Sequence, residues 1–462
     1  MATALQNIKS KSTANSKFLS ESDKNYVWHP FTQMSEWMED DNLIIKSGKG
    51  NYLKDINGKK YLDGVSSLWC NVHGHRVPEL DQALRKQLNQ IAHSTFLGLS
   101  NVPAIELAQK LIEIAPPGLT RVFYSDSGSE SVEVALKMAY QYWQHRGKKK
   151  KTKFIRLTNA YHGDTIGSVS VGGIELFHDI YKPLLFETHS VEAPYRYRDS
   201  FEGAEEEYTG HCARRLEAVL KQYGEECCAL IMEPLMQGAA GMIQQPKGYI
   251  SRARSLTKQY NTLLIFDEVA TGFGRTGRMF ACEHENVTPD ILCVAKGLSG
   301  GYLPIAVTLT VEEIYEAFLG RYEELKTFFH GHTYTANPLA CAVSLANLDL
   351  FKTAQVIKRL IPKIEFLKHE LNSFYELDHV GDIRQTGFMV GIELVRNKST
   401  KEPYPLKEKI GIRVIQEVRK RGVIIRPLGN VIVLMPPFSF EIKDLKKLTD
   451  VVYQSIEKVT NE

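Results

Sequence analysis

The 462-residue chain has little of what would place it in a membrane or outside the cell. No apolar run approaches the roughly 18 residues of a spanning helix. The opening stretch MATALQNIKSKSTANSKFLSES has no apolar signal core and no arginine, so a disordered tail over 1–25 fits better than a short transit peptide. Cysteine is sparse: seven residues, no CxxC and no zinc-like spacing, which predicts reduced thiols and a cytoplasmic location. A net charge of +3 is too small to call for nucleic acid as a partner. The one basic run, GKKKKTK at 147–153, is expected to cap a helix end and form a solvated loop. The two HGH triplets, His73/His75 and His330/His332, have no third and fourth ligand nearby, so no metal is expected. There is no internal repeat. What remains, 43% hydrophobic and 24% charged residues, is ordinary for a soluble globular protein.

The chain does have alternation. Amphipathic stretches at 103–115 and 131–147 have helical spacing. Short apolar runs at 121–126, 153–158, 228–234, 262–269 and 290–296 read as strands. Strands of this length alternating with helices predict an α/β fold with a mostly parallel sheet. Residues 44–65 read instead as a small antiparallel meander with turns at SGKG and INGK. Residues 345–462 carry long helices followed by apolar runs at 387–395, 422–429 and 430–437. The expected organisation is a large domain over 75–340 and a small α+β domain made of 26–74 and 341–462.

Four features converge on one chemistry. LLIFDE delivers Asp267 and Glu268 to the carboxyl end of a strand, where open α/β sheets bind ligands. Lys296 ends another strand 29 positions later. YSDSGSES runs from a strand through Ser127, Gly128 and Ser129 into a helix, whose free N–H groups can cup a phosphate. NAYHGDT sets Tyr161, a histidine and Asp164 in a loop after a strand. A phosphate cup, an acid, a lysine and an aromatic face together suit pyridoxal 5'-phosphate: the amine bonds the aldehyde, the acid keeps the pyridine nitrogen protonated, and the aromatic ring stacks on it. Each feature alone has a bland reading, as a solvated strand end, an N-cap or a core aromatic. GFGRTG at 272–277 matches a dinucleotide-binding fingerprint and raises a dehydrogenase as the rival. However, it starts five residues after Asp267 rather than at the strand end.

The stretch from LLIFDEVATGFGRTG to DILCVAKGLSGG (263–301) resembles the signature of the class-III (ω-) aminotransferases of the type I pyridoxal-phosphate fold. VWHPFTQM, SSLWCNVHGH, NAYHGDTIG, HGHTYTANPLAC and IIRPLGN more narrowly resemble the 7,8-diaminononanoate synthases of biotin biosynthesis, in order and spacing from about 26 to 440. The resemblance implies a homodimer with its sites at the interface. It implies ping-pong transfer through pyridoxamine phosphate to 8-amino-7-oxononanoate. Lys296 would be the Schiff-base lysine and Asp267 the pyridinium partner. Gly128 and Ser129 would hold the phosphate, and Tyr161 would stack on the ring. Gly331, His332 and Thr333 of the partner subunit would complete the site, with Thr333 of the partner subunit on the phosphate. Arg426 would bind the substrate carboxylate, for which a guanidinium fork is suited. Arg275 and Asp164 are further substrate-site candidates, with a surface charge and a loop cap as their plain alternatives.

Three positions depart from the family's usual residues: Phe31 for tyrosine, Leu68 for a second tryptophan beside Trp69, and His332 for proline. Phe31 and Leu68 bear on the amino donor. The family's donor, S-adenosylmethionine, favours aromatic walls; a slimmer amine such as L-lysine would instead need an acid, for which Asp164 is a candidate. Another ω-aminotransferase activity stays open as well.

Overall fold

The computed structural model describes residues 15–40 and 42–462. The apolar runs bounded by turn residues assemble into a buried sheet. Among the described residues it has seven strands: β1 Leu119–Ser125, β2 Lys153–Leu157, β3 His189–Val191, β4 Cys227–Met232, β5 Leu263–Asp267, β6 Ile291–Val294 and β7 Ala306–Val311. Their order across the sheet is β1-β7-β6-β5-β4-β2-β3. Every residue of β4, β5 and β6 is buried, as in strands covered on both faces. The strands from β6 to β3 run parallel. β7 is antiparallel to both neighbours. The five expected strands are present. β3 is only three residues long, and β7 follows β6 with no long helix between, so the strand–helix alternation signals neither.

The helix Gly128–His145 starts three residues earlier than its periodicity predicts. Ser127 caps it, and Glu130 reaches back to complete a capping box. The meander is as expected: Ile45–Lys49, Tyr52–Asp55 and Lys60–Asp63 pair antiparallel. Val423–Ile424 joins Lys60–Asp63 in parallel, so the two ends of the chain share one sheet. A second antiparallel sheet contains Val380–Thr386, Met389–Asn397, Val431–Leu434 and Arg426–Leu428.

Two local expectations need correction, and the rival fingerprint is set aside as its offset suggests. Residues 15–26 are helical where a disordered tail was expected, while 1–14 lie outside the described residues. Asp23 anchors this segment by accepting from His29 Nε2 at 3.0 Å and Trp37 Nε1 at 3.1 Å. In the basic run, Lys148–Lys150 are exposed but Lys151 is buried, with its ammonium on the carbonyls of Gly224 and Cys227 at 2.8 and 2.9 Å. GFGRTG opens no helix. It is a largely buried turn, folded against Glu268, whose carboxylate accepts the N–H groups of Ala281 (2.6 Å) and Cys282 (2.9 Å) beyond it.

Candidate active site

β4, β5 and β6 lie side by side in parallel, so their carboxyl ends share one edge. Glu233 follows β4, Asp267 closes β5, and Lys296 follows β6 by two residues. A cavity of about 660 Å³ opens at this edge, and all three residues line it.

Lys296 is half-buried among them. Burial lowers its pKa below the ordinary lysine value, against the opposing pull of Asp267 and then Glu233. Its backbone is left-handed, with φ 44°. The turn that follows is held by Asn347, which is fully buried and donates to the carbonyls of Gly297 and Leu298, both at 2.9 Å. The amine lies 5.1 Å from the centre of the Trp69 ring. Asp267 is fixed from two sides: His162 Nδ1 lies 2.7 Å from Oδ2, and the Val269 N–H donates to Oδ1 at 3.0 Å. Glu233 accepts the N–H groups of Gly238 (2.8 Å) and Tyr161 (3.3 Å). Burial pushes its carboxyl up to about 7, with Asp267 adding to the rise and His162 opposing it.

Across the cavity, Gly128 and Ser129 begin their helix with N–H groups free of intrahelical partners, while the Ser127 N–H at the cap is taken by Glu130 Oε2 at 2.7 Å. A Cβ on Gly128 would come within 2.6 Å of Val269 Cγ1, so only glycine brings the backbone this close. Tyr161 and Asp164 line a further wall, tied by a hydrogen bond from the phenol to the carboxylate at 2.8 Å.

The Aminotransferase class-III family profile matches residues 34–456. The chain belongs to the class-III aminotransferases. It is 53% identical over 447 residues to the adenosylmethionine-8-amino-7-oxononanoate aminotransferase of Aquifex aeolicus, covering 96% of this chain and 98% of that protein. Its identity to the Geobacter sulfurreducens protein of the same name is 50% over 439 residues, covering 95% and 97%. The crystal structure of the Methanocaldococcus jannaschii protein of that name superposes with a TM-score of 0.92 at 49% identity, covering 96% of this chain and 99% of that one. An omega transaminase from Pseudomonas jessenii in complex with PMP also scores 0.92, at 32% identity, covering 96% and 98%. The fold is therefore the type I fold of the pyridoxal-phosphate transferases, with its mostly parallel central sheet.

Within this class-III aminotransferase the cavity gathers Lys296, Asp267, Gly128, Ser129, Tyr161, Asp164 and Trp69 from the candidates read in the sequence. The others lie elsewhere. Phe31 is exposed, with its ring edge-on to Phe177 at 5.4 Å. Leu68 is half exposed on a turn beside Trp69. Gly331 and Thr333 are exposed on the loop ahead of the helix Pro338–Thr353, and His332 Nδ1 lies 3.6 Å from Glu130. Arg426 is exposed and has no ion-pair partner among the described residues. Arg275 is neither a surface charge nor part of the cavity lining. It is fully buried behind Trp69, donating to the carbonyls of Pro436 (2.7 Å) and Trp69 (3.2 Å) over the Phe438 ring, and burial lowers its pKa to about 9.

The sequence reading missed the parts of His162, Glu233 and Asn347. Glu233 was within reach of the rule that selected Asp267, since CALIMEP ends at the same sheet edge. His162 stood in the loop already singled out, but its contact with Asp267 joins residues 105 positions apart. Asn347 lies mid-helix with nothing in its neighbourhood to mark it.

Proposed function

We propose that the chain binds pyridoxal 5'-phosphate and transfers the amino group of S-adenosylmethionine to 8-amino-7-oxononanoate, forming 7,8-diaminononanoate for biotin biosynthesis. One observation carries this reading: similarity of about half the residues, over nearly the full length, to proteins named for that reaction.

The residues fit the cofactor. The close approach of the Gly128 backbone and the helix start it opens suit a phosphate. Asp267, held by His162, presents a carboxylate to a ring nitrogen. Lys296 offers an amine whose lowered pKa favours the neutral form. When bound, pyridoxal phosphate supplies an aldehyde that takes up amines and a ring that withdraws electrons. The protein's part is placement and proton transfer. Lys296 Nζ removes a proton from the amine-bearing carbon and returns it on the way back. Asp267 keeps the pyridine nitrogen protonated, and the His162 N–H keeps Asp267 oriented. Trp69, Tyr161 and Asp164 form the donor wall, Phe31 and Leu68 are further donor contacts from outside the cavity lining, and Arg426 holds the oxononanoate carboxylate. The first product leaves before the second substrate enters.

The working unit in this reading is a cytoplasmic homodimer. Residues 75–340 form the cofactor domain, and 26–74 with 341–462 form the small domain. Gly331, His332 and Thr333 serve the site of the opposite subunit. Exposed apolar side chains near that loop, including Phe329, Tyr334, Leu97 and Leu99, support such an interface. All seven cysteines are free thiols, which suits a reducing compartment. No helix among the described residues is long and apolar enough to cross a membrane.

The test is a single-turnover experiment. Cofactor-loaded protein is mixed with S-adenosylmethionine or with L-lysine at matched concentration, and the absorbance of the bound cofactor is followed. Conversion by S-adenosylmethionine is expected. Conversion by lysine alone would overturn the donor assignment.

A further inference from the structure

Ser66, Ser67, Leu68 and Trp69 all have positive φ, at 49°, 49°, 84° and 72°. None is glycine, and a run of left-handed L-residues is disfavoured at every step. Such strain persists only where the surroundings over-determine it. Here they do. Asp63 is completely buried at the end of the strand Lys60–Asp63. Its Oδ1 accepts the Ser67 N–H at 2.9 Å, and Oδ2 accepts the Ser67 hydroxyl at 2.7 Å. Oδ2 also lies 3.0 Å from His75 Nε2, and His75 Nδ1 lies 2.8 Å from Asn71 Nδ2. A neutral imidazole protonated at Nε2 satisfies both neighbours. His75 is itself pinned: its backbone pairs both ways with Gly50, and its ring fills the space a Cβ on Gly48 would take, 2.8 Å away. The Ser66 hydroxyl donates to the Met435 carbonyl at 2.8 Å, and Arg275 holds the Trp69 carbonyl at the far end.

We propose that Asp63, backed by His75, is a positioning residue for the amine-binding wall: it locks Ser67 into the left-handed turn and so sets the Trp69 indole beside the Lys296 amine. Asp63 does not line the cavity and acts through Ser67. The HGH triplet at 73–75 thereby gains a role that needs no metal. Only the identity of what the wall binds rests on the proposed function.

Asp63→Ala is compared with Asp63→Asn, which keeps an acceptor for the Ser67 N–H. The first readout uses the cofactor-free full chain: acrylamide quenching of Trp69 emission, taken as the difference between each protein and its Trp69→Phe counterpart. Asp63→Ala is expected to raise quenching about threefold, and Asp63→Asn to restore most of the protection. The second is the half-reaction with S-adenosylmethionine. Its half-saturating concentration is expected to rise about tenfold in Asp63→Ala, in keeping with hydrogen bonds to a charged group, while the saturating rate changes less. Folded Asp63→Ala with wild-type quenching would overturn the proposal, whatever its melting temperature. If Asp63→Ala does not fold, Ser67→Ala decides: raised quenching supports the proposal and unchanged quenching sinks it. A wild type inert to S-adenosylmethionine would count against the donor alone, because the quenching comparison needs no donor and still decides the role of Asp63.

Discussion

Lys296 combines partial burial, a left-handed backbone and a turn braced by Asn347, so its amine reaches the cavity from a rigid support. Lys296→Ala is expected to abolish multiple turnover while the protein folds and still takes up cofactor reversibly. Steady-state turnover within about tenfold of wild type would remove Lys296 from its role. Glu233 gives a pH signature. Its carboxyl titrates near 7 when folded, against an ordinary value of 4.5, because burial disfavours the charge. Between those values the folded chain keeps a proton that the unfolded chain has released, so stability falls as pH rises. Glu233→Gln cannot titrate. Its stability relative to wild type should therefore climb from about pH 4.5 to about 7 and level off above. Denaturant melts of the cofactor-free chains across pH 4–9 check this, and a flat difference would show that Glu233 does not titrate high.

At the scale of the element, the helix start at Gly128 packs closely on Val269 just past the end of β5. Gly128→Ala must push Val269 or the helix start aside, and Val269 donates its N–H to Asp267. Pyridoxal phosphate affinity is expected to fall at least about tenfold, measured by titrating cofactor-free protein, with a smaller change in melting temperature. Unchanged affinity would mean that the phosphate lies elsewhere. This element was legible in advance, because strand, small residues and helix are contiguous and the capping pattern is local. So were β5 and β6, whose apolar runs end in the residues that matter. β7 and the braces at Arg275 and Asn347 were not. A charged side chain satisfied by distant carbonyls leaves no trace in its own neighbourhood, and Arg275 reads as surface until the strand bearing Pro436 folds against it.

At the scale of the whole molecule, Gly331, His332 and Thr333 do not line the cavity of their own chain, although His332 lies beside Glu130. If Thr333 of each chain serves the opposite site, two inactive variants should complement each other. Lys296→Ala and Thr333→Ala chains, unfolded together and refolded, would form mixed dimers with one intact site. Random pairing then gives about a quarter of wild-type activity. No gain on mixing would place the whole site within one chain.

The left-handed turn Ser66–Trp69 also bears on how the enzyme can change over time. Leucine at φ 84° is held where glycine would rest without strain. Leu68→Gly should therefore melt within about 2 °C of wild type or higher, since relief of strain offsets the added freedom of the unfolded chain; a clear drop would show that the Leu68 side chain contributes packing that outweighs its backbone. Most substitutions that reshape a binding wall spend stability and are lost before they can be selected. If Leu68 belongs to the amine-binding wall and Leu68→Gly melts as expected, that wall can be thinned at no such loss, and the choice of amine is the property of this enzyme most open to drift.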